Sequence, residues 1–193
     1  MKNLLKKTIA TLVVTVILFS CSKSDDPAPE VLAPLQDPFP GFLETSGLNN
    51  IVPSLNLGFK ELGLSFSPLV KGKITAIVVK MPETQNGLRV TIWDKSTSTV
   101  LRTESIDVMT PDTETIKQIT PLNLEQFKDY MISINTNDAY YRTKSNQSAI
   151  SYPFIIGDIK ITSFNIKSGT DQVIPSEIYS DSFRGDFSFK FQK

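Results

Sequence analysis

Histidine is absent from this chain of 193 residues, and cysteine and tryptophan occur once each. Without histidine neither Ser-His-Asp nor Cys-His catalysis can be assembled, and no imidazole is available to hold zinc, iron or copper. A lone cysteine excludes an intrachain disulfide, so stability has to come from apolar burial. Charge of one sign is lacking as well, with 20 Lys and Arg against 20 Asp and Glu. No clustered basic excess is available to release counterions, so nucleic acid is not an expected partner. The chemistry left open is carboxylate catalysis, lysine chemistry or an oxygen-ligated cation.

Long apolar runs are also missing. The longest, Ile9 to Phe19, is too short to span a bilayer and follows Lys2, Lys6 and Lys7, the pattern of a secretory signal. Leu18-Phe19-Ser20-Cys21 then resembles the bacterial lipobox, in which a leucine three residues before a cysteine marks cleavage and acylation. That resemblance implies residues 1–20 as a lipoprotein signal peptide and Cys21 as the lipidated residue. Cleavage there would remove three lysines and leave 17 basic groups against 20 acidic ones. Ser24, Asp25 and Asp26 resemble the lipoprotein export signal of Bacteroidota, which implies an outer-membrane anchor facing the cell exterior. The alternative is a solvated linker charge pair.

Five of the 12 prolines fall between Pro27 and Pro40. They predict an extended, polyproline-like spacer, so residues 21–45 read as a lipidated tether and 46–193 as the folded domain. At about 3.1 Å per residue the tether would hold the domain roughly 50–60 Å from its lipid.

The remainder reads as short strands. Lys73–Met81 is β-branched, and Leu88, Val90 and Ile92 alternate with Arg89, Thr91 and Trp93. Thr99–Val108 and Glu114–Ile119 flank a turn at Thr110-Pro111-Asp112. Tyr130, Ile132 and Ile134 alternate up to the turn signal Asn137-Asp138. Ile159 and Ile161 fall out of phase with Phe164 and Ile166, which predicts a bulge near Thr162. Phe187, Phe189 and Phe191 close the chain, and only Leu124–Lys128 reads as a helical turn. These features predict an all-β, single-domain antiparallel β-sandwich of jelly-roll or immunoglobulin-like type.

From Leu57 to Asp94 the chain resembles a bacterial family of extracellular β-sandwich modules of unknown function often found beside carbohydrate-active domains. The shared features are Leu62-Gly63, Phe66, Pro68, Gly72, Ile74-Thr75, Lys80 and Val90-Thr91-Ile92-Trp93-Asp94, with Phe127–Ile134 matching a later strand. The likeness covers about 80 residues and carries no catalytic residue.

Two groups of residues suit a flat, polar ligand. Trp93 with Asp94 pairs a stacking ring with a carboxylate; the alternative is a strand terminus and turn. Asn137, Asp138, Tyr140, Tyr141 and Arg142 read as a loop tip bearing amide, acid, aromatic and guanidinium groups, with Tyr152 in a second loop, Asn146–Pro153, beside it. The alternative there is tyrosines packed down as loop anchors. Asp158, Asp171, Asp181 and Asp186 are oxygen donors without the spacing of a calcium loop, so no cofactor is expected. Acid pairs such as Glu104 with Asp107, or Asp112 with Glu114, could in principle carry glycoside hydrolysis. Three functions follow as expectations. The first is a non-catalytic, lipid-anchored surface binding module, with glycan as the possible ligand. The others are an accessory lipoprotein engaging another envelope protein and a carboxylate-dependent glycan-cleaving enzyme.

Overall fold

The computed structural model describes residues 33–193; Cys21, Ser24, Asp25, Asp26 and the first part of the expected tether lie outside them. No helix among the described residues is long and apolar enough to cross a membrane. The chain enters the fold as helix α1 (Pro38–Ser46), followed by strands β1 (Asn50–Ser54), β2 (Lys60–Pro68), β3 (Gly72–Lys80), β4 (Gln85–Asp94) and β5 (Thr99–Val108). Next come β6 (Glu114–Leu124), β7 (Tyr130–Thr136), β8 (Ala139–Thr143), β9 (Phe154–Ile156) and β10 (Ile159–Ser168). The chain ends with β11 (Glu177–Tyr179), β12 (Phe183–Arg184) and β13 (Asp186–Gln192).

Pairing is antiparallel throughout and makes an all-β sandwich in a single domain. One sheet has the order β11-β10-β2-β7-β4-β5, with β9 added on β10, and the facing sheet is β13-β3-β6. Alternation decides what meets between them: Leu62, Leu64 and Phe66 of β2 and Val90 and Ile92 of β4 point inward against Ile77, Val79, Phe187, Phe189 and Phe191. The Phe66 and Phe189 rings meet across the layers with centroids 4.4 Å apart. Two bulges keep this alternation aimed at the core. Thr162 is the extra residue between Ile161 and Ser163 opposite β2, as the phase change in the sequence predicts, and Thr75 is the extra residue between Ile74 and Ala76 opposite β13.

The opposite face of the larger sheet is also covered. The segment 169–176, between β10 and β11, lies over it as a strap. Asn135 Nδ2 donates to the Gly169 carbonyl (3.0 Å), Arg89 donates to the Thr170 carbonyl (2.8 Å), and Gln172 Nε2 donates to Thr103 Oγ1 (2.6 Å) and Thr91 Oγ1 (3.1 Å). Gly63 is required beneath it, because a Cβ there would stand 2.5 Å from Met131 Sδ and 2.6 Å from Pro175 Cγ.

The entry to the domain corrects the sequence expectation. The spacer read from Pro27 to Pro40 ends by Gln36, which bridges to Phe191 in β13, and Pro38 and Pro40 lie in the first turn of α1 rather than in an extended tether. Proline is tolerated there because the first N–H groups of a helix have no intrahelical partner. Asp37 caps the helix by accepting from Phe39 N (3.0 Å), and Gly47, at φ 71°, ends it in the left-handed conformation. α1 inserts Phe42, fully buried, against Tyr152, Phe154 and Phe183. The helical turn expected at Leu124–Lys128 is instead the end of β6 and a tight turn.

Candidate functional site

The expected loop tip is a strand. Ala139-Tyr140-Tyr141-Arg142-Thr143 forms β8, the middle strand of a third, small sheet ordered β1-β8-β12. Alternation along it separates residues that the sequence placed together. Tyr140 and Arg142 turn into the body, at 6% and 7% exposure, while Tyr141 turns outward.

Tyr140 donates its hydroxyl to the Asp112 carboxylate and carries the Lys80 ammonium 5.5 Å above its ring. Burial, reinforced by the neighbouring Asp112 charge, pushes its phenol well above the usual tyrosine range. Arg142 forms a bidentate pair with Asp186, Nε to Oδ1 at 2.6 Å and Nη2 to Oδ2 at 2.5 Å, with both side chains buried. Asp138 ties the preceding turn, accepting from Asn56 N (2.8 Å) and Gln85 Nε2 (3.1 Å), and the Asn137 carbonyl accepts from Leu57 N (3.1 Å). Tyr152 is half-buried, stacked on Phe42 and edge-on to Phe154, and burial raises its phenol as well.

Trp93 and Asp94 follow the structural alternative. Trp93 is 3% exposed and donates Nε1 to Ser133 Oγ (2.9 Å) on the strapped face, so its ring offers no open surface for stacking. Asp94 organises the β4–β5 turn by accepting from Ser96 N (3.0 Å), Ser96 Oγ (2.6 Å) and Thr97 N (3.3 Å), and it pairs with Lys128 at 3.0 Å. The Ser96 hydroxyl first, then Lys128, hold its carboxyl down at about 2.

What remains open is the outer side of β8. There Tyr141 lines a groove of about 400 Å³ with Asn50, Thr143, Lys144, Ser145, Gln147 and Asp181. Arg184 packs its guanidinium 5.2 Å from the centre of the Tyr141 ring, which fixes the ring's orientation. Three distant segments converge on this groove: β1 at Asn50, the turn after β8, and the residue before Ser182-Phe183. Gln147 comes from the second loop the sequence placed beside the first, but Tyr152, the aromatic singled out in that loop, does not reach the groove. Asn50, Thr143, Lys144 and Ser145 carry no sequence signal as ligand contacts, because only the β1-β8-β12 pairing gathers them, and Asp181 reads in the sequence only as a scattered oxygen donor.

The aspartates weighed as oxygen donors are dispersed. Asp158 accepts from Gln36 and pairs with Lys193, Asp186 is held by Arg142, Asp171 lies in the strap, and Asp181 lies in the groove. Among the described residues no group of three or more His, Cys, Asp or Glu is gathered to hold a metal ion. Glu104 is engaged by Lys117 (2.9 Å) and Arg102 (3.4 Å), Asp107 accepts from Gly87 N (2.7 Å), and Asp112 accepts from Tyr140. Neither acid pair is a free couple facing a cleft. No family model matches the chain, and no curated protein matches it.

Proposed function

We propose that this protein is a lipid-anchored cell-surface module that binds glycan without cleaving it, through the groove around Tyr141. The observation that carries this reading is the composition of the groove. One aromatic ring, held in place by Arg184, stands among amide, hydroxyl, ammonium and carboxylate groups in a volume suited to one or two sugar rings. Two-carboxylate hydrolysis needs a second acid opposite the first, and Asp181 is the single carboxylate lining this groove. The absence of histidine and the lipobox-like Leu18–Cys21 support the non-catalytic and anchored parts of the proposal.

A glycan array probed with the full chain in detergent tests the reading, with Tyr141→Ala as the matched variant. A bound glycan should lose affinity by about 1 kcal/mol, roughly fivefold, in the variant. Binding that is unchanged by Tyr141→Ala, or absent across neutral and acidic glycans, would sink the proposal. For the anchor, Cys21→Ala should leave the membrane fraction or accumulate as precursor.

A second reading, an accessory protein that engages an envelope partner, is favoured by one feature. Ile51, Val52, Leu55, Leu57 and Phe59 are 40–50% exposed in and after β1. Pro53 lies within that strand and hinders further strand addition at its edge, so a partner would be met through side chains. Site-specific photocrosslinking from Val52 in cells distinguishes this reading, which predicts one discrete crosslinked species.

A further inference from the structure

On the inner side of β8, opposite the Tyr141 groove, lies a second cleft of about 250 Å³ between the first turn of α1 and the outer side of β3 and β13. Its floor is apolar, made by Phe39, Pro40, Leu43 and Val78. Ser188 supplies the one hydroxyl, and it already donates to Asp37 (2.7 Å), so a sugar would find few partners here.

The charges at the rim are unevenly matched. Lys80 stands in register between Asp186 of β13 and Glu114 of β6, a position that normally gives a cross-strand ion pair. Asp186 is instead taken bidentately by Arg142, and Asp37 is taken by Lys190 at 2.9 Å. Among the described residues Lys80 makes no ion pair at all, with Glu114 or any other acid. Its half-buried ammonium rests over the face of Tyr140, which is itself fixed by Asp112. Two of the three acids around the cleft are thus neutralised in place, and beside the apolar floor Lys80 keeps its charge unpaired, with the exposed Glu114 opposite it in register but not bonded to it.

We propose that this cleft binds a small monocarboxylate with an apolar body. The carboxylate would lie at Lys80 and the body over Phe39, Leu43 and Val78. A charge-assisted hydrogen bond at a partly desolvated site supplies the preference for the anion, and the floor supplies size selection. This site is separate from the glycan reading, since it lies on the other face of β8 and shares no lining residue with the Tyr141 groove.

The test is an NMR titration of the full chain in detergent with hexanoate, and with hexanamide as the neutral probe of the same length. Hexanoate should bind about tenfold more tightly than hexanamide and shift resonances of Leu43, Val78 and Ser188. Lys80→Met should erase that preference, Lys80→Arg should retain it, and Glu114→Gln should strengthen hexanoate binding by removing the unpaired anion opposite Lys80. Equal affinity for the two probes, or a preference that survives Lys80→Met, overturns the proposal. So do shifts confined to other parts of the molecule. Should Lys80→Met fail to fold, the wild-type preference and the direction of the Glu114→Gln change still decide it, since a weaker or unchanged hexanoate affinity in Glu114→Gln is incompatible with a carboxylate at Lys80.

Discussion

Side chains of similar chemistry end in opposite roles here according to which way one strand faces. Tyr141 is a surface ring; Tyr140 and Arg142, its chain neighbours, are parts of the interior. Removing Arg142 would leave Asp186 as an uncompensated buried charge, so Arg142→Ala should cost about 3–5 kcal/mol by urea denaturation. Tyr141→Ala should leave the midpoint nearly unmoved. Asp94 gives a prediction in pH. Its carboxyl is held at about 2, below its ordinary 3.8, so the stability it contributes is complete above pH 4 and is lost as pH falls through 2. The gap between wild type and Asp94→Asn should therefore be widest at neutral pH and close as the pH approaches 2. A gap that stays constant across that range would mean the Ser96 and Lys128 contacts do not act through the ionised form.

At the level of elements, alternation made the strands readable. Leu88, Val90 and Ile92 are core residues of β4, the Thr99–Val108 expectation coincides with β5, and the phase slip at Thr162 is a true bulge. α1 was hidden because prolines at 34, 38 and 40 read as extended chain, and what makes 38–46 helical is long-range: the Asp37 cap is itself held by Ser188 and Lys190, and Phe42 has the Phe183 ring to pack on. β8 was hidden for a related reason. Ala139–Thr143 is polar enough to read as a loop, and its partners lie about ninety residues before it and forty after. Trp93 with Asp94 was legible as a strand terminus and turn, but the strap that closes over the Trp93 face was not, because 169–176 has no periodic pattern to signal it. α1 is a structural member, so Phe42→Ala should destabilise by about 3–5 kcal/mol, measured as a fall in Tm, and should loosen amide protection in β9 and β12 before β2 or β7.

For the molecule as a whole, an apolar interior between two sheets supports a small third sheet whose two sides carry different surfaces, polar around Tyr141 on the outside and an apolar floor with a charged rim on the inside. Ligands at the two should therefore bind independently, with saturation of one leaving the affinity for the other within experimental error. The pairing of Gln36 with Phe191 has a mechanical consequence. Two backbone hydrogen bonds of 2.8 Å join the incoming segment to the last strand, and Gln192 donates to the Ala33 carbonyl beside them (3.0 Å). Because the two segments run antiparallel, a pull applied between residues 33 and 193 peels these contacts one after another, like a zipper. A pull between residue 33 and Gln147 leaves the last strand out of the load path and causes no such peeling. In optical-tweezers experiments, attachment at 33 and 193 should therefore give a first rupture at lower force than attachment at 33 and 147, so the same fold resists or yields according to where it is gripped.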